Sequence, residues 1–93
     1  MKYLFLLFFL PFVAFSQTYS EDTNSPIAQN KLAIYFYNKS DFENALIWFK
    51  KSSDQGFAEA QYNLASMYEN GVGTIKNLNK AIFWYRKAAG QNS

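Results

Sequence analysis

Gly71-Val72-Gly73-Thr74 followed by Lys76 brings two glycines, a hydroxyl and an amine within six residues, the ingredients of a phosphate cradle. A phosphate loop needs Gly-x4-Gly-Lys-Ser/Thr after a strand and before a helix. Here no Lys-Ser/Thr pair follows the glycines, and the residues before them read as helix. Catalytic side chains are equally scarce. The chain has no histidine and no cysteine, so the commonest general base and the thiolate nucleophile are both missing. Asp41 and Glu43 stand two apart at a helix start, where acids complement the helix dipole and point to different sides. No oxygen ligands cluster in a loop as a hard cation requires. The sequence thus argues against an enzyme and implies no cofactor. Trp48 and Trp84 suggest carbohydrate stacking, but their matching places in an internal repeat favour a core role.

The elements that position these residues begin after a leader. Met1-Lys2 is a positive start, "YLFLLFFLPFVAF" is almost wholly apolar, and Ala14-Phe15-Ser16 sets small residues before Gln17. That layout predicts a secretory signal peptide over residues 1–16. Its apolar run of thirteen residues falls short of the roughly 20 needed to cross a bilayer as a helix. The expected outcome is export to the periplasm or medium, with no stable membrane span after cleavage. Without cysteine, neither a lipid on cysteine nor a disulfide is available. Residues 17–25, "QTYSEDTNS", are polar and aperiodic and read as a tether. From Gln17 onward eight Lys/Arg meet seven Asp/Glu, interspersed. No basic stripe of the kind that binds nucleic acid is present.

Residues 26–93 contain a repeat. Ala28-Gln29 and Leu32-Ala33 recur as Ala60-Gln61 and Leu64-Ala65, at an offset of 32. After a four-residue insertion the offset is 36, and Trp48-Phe49-Lys50-Lys51 recurs as Trp84-Tyr85-Arg86-Lys87. The insertion holds the Gly-Val-Gly, so the glycines belong to a turn of variable length. In each copy the second helix shows a buried face at i, i+3, i+4 and i+7: Ala45/Trp48/Phe49/Ser52 and Ala81/Trp84/Tyr85/Ala88. Leu32/Ala33/Phe36 and Leu64/Ala65/Tyr68 do the same for the first helices. Ser25-Pro26 and Asn77 are N-terminal caps, Ser40-x-x-Glu43 has the form of a capping box, and Gly56 and Gly90 mark helix ends. These signals predict helices over 26–38, 41–54, 57–70 and 78–89, paired as two antiparallel hairpins.

"AEAQYNLASMYENGVGTIKNLNKAIFWYRKAA", Ala58 to Ala89, closely resembles one Sel-one-like repeat, a relative of the tetratricopeptide repeat. The resemblance rests on Ala58, Ala60, Tyr62, Leu64, Tyr68, Gly71, Gly73, Lys80, Ala81, Trp84, Tyr85, Lys87, Ala88 and Ala89. Ala65, Thr74 and Asn77 depart mildly from the usual glycine, valine and aspartate. The first copy is shorter and looks closer to an ordinary tetratricopeptide repeat, with Leu32, Ala33, Phe36, Ala45, Phe49 and Ser52 at that spacing. The resemblance implies an all-α fold, an α-solenoid of two helix-turn-helix repeats, that binds proteins without catalysing a reaction.

In such solenoids the first helix of each pair lines the groove. By repeat position that face carries Ile27, Asn30, Ile34, Tyr37 and Asn38 in the first copy, and Glu59, Ser66, Glu69 and Asn70 in the second. Two apolar anchors, a tyrosine, amides and acids suit a protein loop or an extended peptide. Tyr35 and Tyr37 fall outside the core set and are expected at the surface. Ile82 and Phe83 broaden the apolar face of the last helix, which predicts a homo-oligomer or a partner docked there, with Phe83 in the contact. The function expected is that of an exported adaptor or scaffold. A glycan- or peptidoglycan-binding module of the envelope, and a regulatory subunit or remnant of a larger repeat hydrolase, are the alternatives.

Overall fold

The computed structural model describes residues 23–90, so the leader and most of the tether lie outside the described residues. Four helices follow in order: α1 (Pro26–Asn38), α2 (Phe42–Asp54), α3 (Ala58–Asn70) and α4 (Leu78–Ala88). All four expected helices are present, and their bounds differ from the expected ones by at most one residue. Each helix packs on the next in the chain: α1 on α2, α2 on α3, α3 on α4. The short connections turn consecutive helices antiparallel.

The helices start where side chains can occupy their free N–H groups. Ser25 Oγ accepts from the Ala28 amide and Pro26 opens α1; Asn77 Oδ1 accepts from the Lys80 amide at 3.0 Å at the start of α4. The cap of α2 corrects the sequence reading. Asp41, not Ser40, accepts from the Asn44 amide. Ser40 instead ends α1 with a left-handed backbone, φ 60°. The Asp41 and Ser40 amides bond back to the carbonyls of Phe36 and Tyr37, both at 2.9 Å. That is a Schellman closure with serine where glycine usually stands. Gly56 closes α2 in the same way at φ 88°.

The core is built from small residues and a few large ones. Ala33, Ala45, Phe49, Ala60, Leu64, Met67, Tyr68 and Ala81 are buried together. The alanines let helix axes approach closely. Trp48, Trp84, Phe36, Phe42 and Leu46 pack half-buried around them. Three polar side chains stitch the helices. Ser52 Oγ donates to the Pro26 carbonyl at 2.6 Å, joining α2 to α1. Gln61 Nε2 donates to the Ser53 carbonyl at 3.1 Å, joining α3 to the end of α2. Gln55 Nε2 donates to Gln29 Oε1 and to the Asn24 carbonyl, both at 2.9 Å.

The glycine turn between α3 and α4 does structural work. Gly71 and Gly73 both have positive φ, 66° and 70°. A β-carbon on Gly73 would lie 2.5 Å from the Phe42 carbonyl oxygen. The turn of the second hairpin is therefore seated on the start of α2 in the first.

Candidate binding groove

The first helices of the two hairpins bring residues of one stripe each to a shared cavity of about 160 Å³. Ile34 and Tyr37 come from α1, Asn63, Ser66, Met67 and Asn70 from α3. Phe49 of α2 and Val72 of the glycine turn complete the lining. On α3 the spacing 63, 66, 70 follows one helical face. The floor is apolar, because Phe49 and Met67 are buried. The rim is polar. The Tyr37 ring meets Phe42 edge-on at 5.0 Å, which fixes it at the mouth. Asn70 Nδ2 donates to the Ser66 carbonyl at 3.0 Å and to Ser66 Oγ at 3.4 Å. Both bonds use its nitrogen and leave Oδ1 to accept from a ligand N–H.

Of the residues expected on this face, Ile34, Tyr37, Ser66 and Asn70 meet at the cavity. Ile27, Asn38 and Glu59 are exposed but do not line it. Asn30 is not on the open face: it is 3% exposed, and its Oδ1 is buried without a hydrogen-bond partner among the described residues. Glu69 turns toward α4 and accepts from the Tyr85 hydroxyl at 2.7 Å. That bond is the main reason the Tyr85 pKa is raised, with some burial adding to it. Asn63 was missed. It lies on the α3 stripe through Glu59, Ser66 and Asn70, and that spacing was the available signal. Tyr35 and Tyr37 are exposed, as expected.

The tryptophans are half-buried against the core. Lys51 Nζ sits 5.4 Å from the Trp48 ring centre, and Lys87 Nζ 5.8 Å from that of Trp84. These cations occupy ring faces that a sugar would stack on. Among the described residues no group of His, Cys, Asp and Glu could hold a metal ion. No described helix is long and apolar enough to cross a membrane.

The family model described as "Sel1 repeat" matches residues 26–57 and again 58–93, which together span most of the chain. The chain belongs to the Sel1 repeat family. The first copy is therefore a Sel1 repeat as well, despite its short turn and its likeness to a tetratricopeptide repeat. A Sel1 repeat protein from Oxalobacter formigenes has a crystal structure that matches with a TM-score of 0.70 at 37% identity, over 80% of this chain and 32% of that one. Among curated Sel1-like relatives, the chitin synthase regulator SKT5 of Malassezia restricta is 42% identical over 50 residues, 54% of this chain and 3% of its own length. The DAP3-binding cell death enhancer 1 of Rattus norvegicus is 38% identical over 56 residues, 60% of this chain and 11% of its own length. This chain thus spans a small part of each of these relatives.

Proposed function

We propose that the chain is an exported protein-interaction module whose groove between α1 and α3 holds an extended peptide or loop of a partner protein. The observation that carries this reading is the cavity itself: an apolar floor of Phe49 and Met67 under a rim of Tyr37, Asn63, Ser66 and Asn70. An apolar side chain of the ligand would enter the floor, and its backbone would bond to the rim amides. Membership of a family of interaction modules supports the same class. The leader and the Ala14-Phe15-Ser16 site support export. Stacking of a glycan on Trp48 or Trp84 is less well supported, because their rings are half-buried and faced by lysines.

Peptide display on the purified chain tests the groove. Selected peptides should bind Tyr37→Ala and Asn70→Ala at least about ten-fold more weakly than the parent, a change of about 1.4 kcal/mol. Equal binding to parent and variants would reject the groove. Intact mass of the exported chain should begin at Gln17; full-length chain held in the membrane would reject export.

A further inference from the structure

The contact between the two hairpins defines two unlike faces. Repeat 1 offers a trailing face of Phe42, Leu46 and Phe49 on α2; repeat 2 meets it with a leading face of Ala60, Gln61, Leu64 and Met67 on α3. Phe49 and all four α3 residues are buried there, while Phe42 and Leu46 are half-buried. The repeat offsets place the same two faces on α4 and α1, the outer helices among the described residues. The trailing face of repeat 2 carries Leu78, Ile82 and Tyr85 in the places of Phe42, Leu46 and Phe49. Leu78 is 54% and Ile82 48% exposed, and Tyr62 beside them is 58% exposed where its counterpart Asn30 is buried. The leading face of repeat 1 carries Ala28, Gln29, Leu32 and Tyr35 in the places of Ala60, Gln61, Leu64 and Met67. Ala28 and Leu32 are only half-buried and Tyr35 is 51% exposed, while Gln29 is buried under the chain's own first turn, bonded to the Thr23 carbonyl.

We propose that a second copy of this chain covers the exposed face of α4, head to tail, with the Ala28/Gln29/Leu32/Tyr35 face of one copy seated on the Tyr62/Leu78/Ile82/Tyr85 face of the next. The contact repeats between molecules the one that already joins α2 to α3 within the molecule. The same Ala-Gln-x-x-Leu-Ala segment leads both repeats, so the incoming surface is nearly the surface that covers repeat 1. Gln61 shows how the polar link would form, through its bond to the Ser53 carbonyl. In the stacked pair Gln29 faces Ala89, the counterpart of Ser53. Within a single copy Gln29 Nε2 is held by the Thr23 carbonyl at 2.8 Å, so stacking exchanges that bond for an intermolecular one. Assembly is thereby in competition with the chain's own first turn, which makes it weak and concentration-dependent.

Phe83 has no place in this contact. Its counterpart Ile47 stays 49% exposed although a following repeat is present. Unlike faces that join head to tail do not close at two copies; they continue to a ring or a filament.

Sedimentation of the exported chain over a wide concentration range tests the proposal, with circular dichroism to confirm that each variant is folded. The parent should pass beyond dimers as concentration rises. Ile82→Glu and Tyr35→Glu, each at an exposed site, should weaken association at least ten-fold, and Leu78→Glu serves as a second trailing-face variant. Phe83→Glu should behave as the parent. An equimolar mixture of Ile82→Glu with Tyr35→Glu should form dimers and nothing larger, since each supplies the face that the other lacks. A parent that remains monomeric throughout would overturn the proposal. So would Tyr35→Glu dimers as strong as those of the parent, which mean a symmetric contact between trailing faces. Loss of association in Phe83→Glu alone would place the contact on the outer side of α4.

Discussion

The two repeats share most of their helix-forming residues but not their burial. Leu64 is fully buried, whereas Leu32 at the same repeat position is half-buried; Phe49 is buried, whereas Tyr85 is half-buried. The difference teaches that a helix pair of this family does not complete its own core. Each first helix is covered by the pair before it, and each second helix by the pair after it. The residues at the junction are buried, and their counterparts on α1 and α4 are left in part to solvent.

Core truncation should show that contrast most strongly. Leu64→Ala should cost about 3 kcal/mol and Leu32→Ala about half as much, because only the first leaves a closed cavity. Urea unfolding of both variants checks this, and equal losses would break the comparison. The glycine turn comes next. Gly73→Val should cost about 2 to 3 kcal/mol, since it adds a clash with Phe42 to a left-handed backbone. Gly56→Val has the backbone strain but nothing within 4 Å of its β-carbon, and should cost about 1 kcal/mol. Thermal melts that fail to separate the two would mean that the turn is not seated on repeat 1.

Ser40→Gly should stabilise the chain by about 0.5 to 1 kcal/mol, by relieving the left-handed serine at the end of α1. A lower unfolding midpoint would show that Ser40 acts as a cap after all. The smallest effect belongs to Tyr85→Phe, about 0.5 kcal/mol for an exposed bond to Glu69. The folded Tyr85 pKa is raised above the ordinary phenol value of about 10. Its contribution is therefore complete below pH ~10 and is lost as pH rises through the folded value. Parent and Tyr85→Phe should converge in stability in strong alkali. A gap that persists there would mean that the tyrosine acts through packing and not through its hydroxyl.

Apolar spacing made the four helices and the Sel1 pattern legible, because the same faces recur in two copies and the caps mark their ends. Ser40 was misread for a physical reason. Ser-x-x-Glu satisfies the capping box, but Asp41 caps as well and lets Ser40 close the preceding helix. The groove was half legible. Helical spacing places 59, 63, 66 and 70 on one stripe, yet 69 and 70 both neighbour 66, and sequence alone does not choose between them. The tyrosine at 85 does, by drawing Glu69 to the other side. Asn30 was misplaced because a polar residue reads as exposed, whereas here it is enclosed beside buried Gln29. Gln29 and Gln61 recur at the repeat offset and Ser52 falls on the apolar stripe, but spacing does not tell which carbonyl each one bonds. Ser52, Gln29 and Gln61 each donate to a specific carbonyl that only the assembled helices bring within reach.

The short turn ahead of α1, together with the first residue of α1, is tied to both helices of the first hairpin. The Thr23 carbonyl accepts from Gln29 on α1, the Asn24 carbonyl from Gln55 at the end of α2, and the Pro26 carbonyl from Ser52 within α2. Tension applied at Thr23 therefore does not peel α1 away turn by turn. It loads α1 and α2 together, because side chains of both hold the carbonyls at this point. A load entering the described chain at Thr23 is thus shared by both helices of the first repeat before it reaches the second.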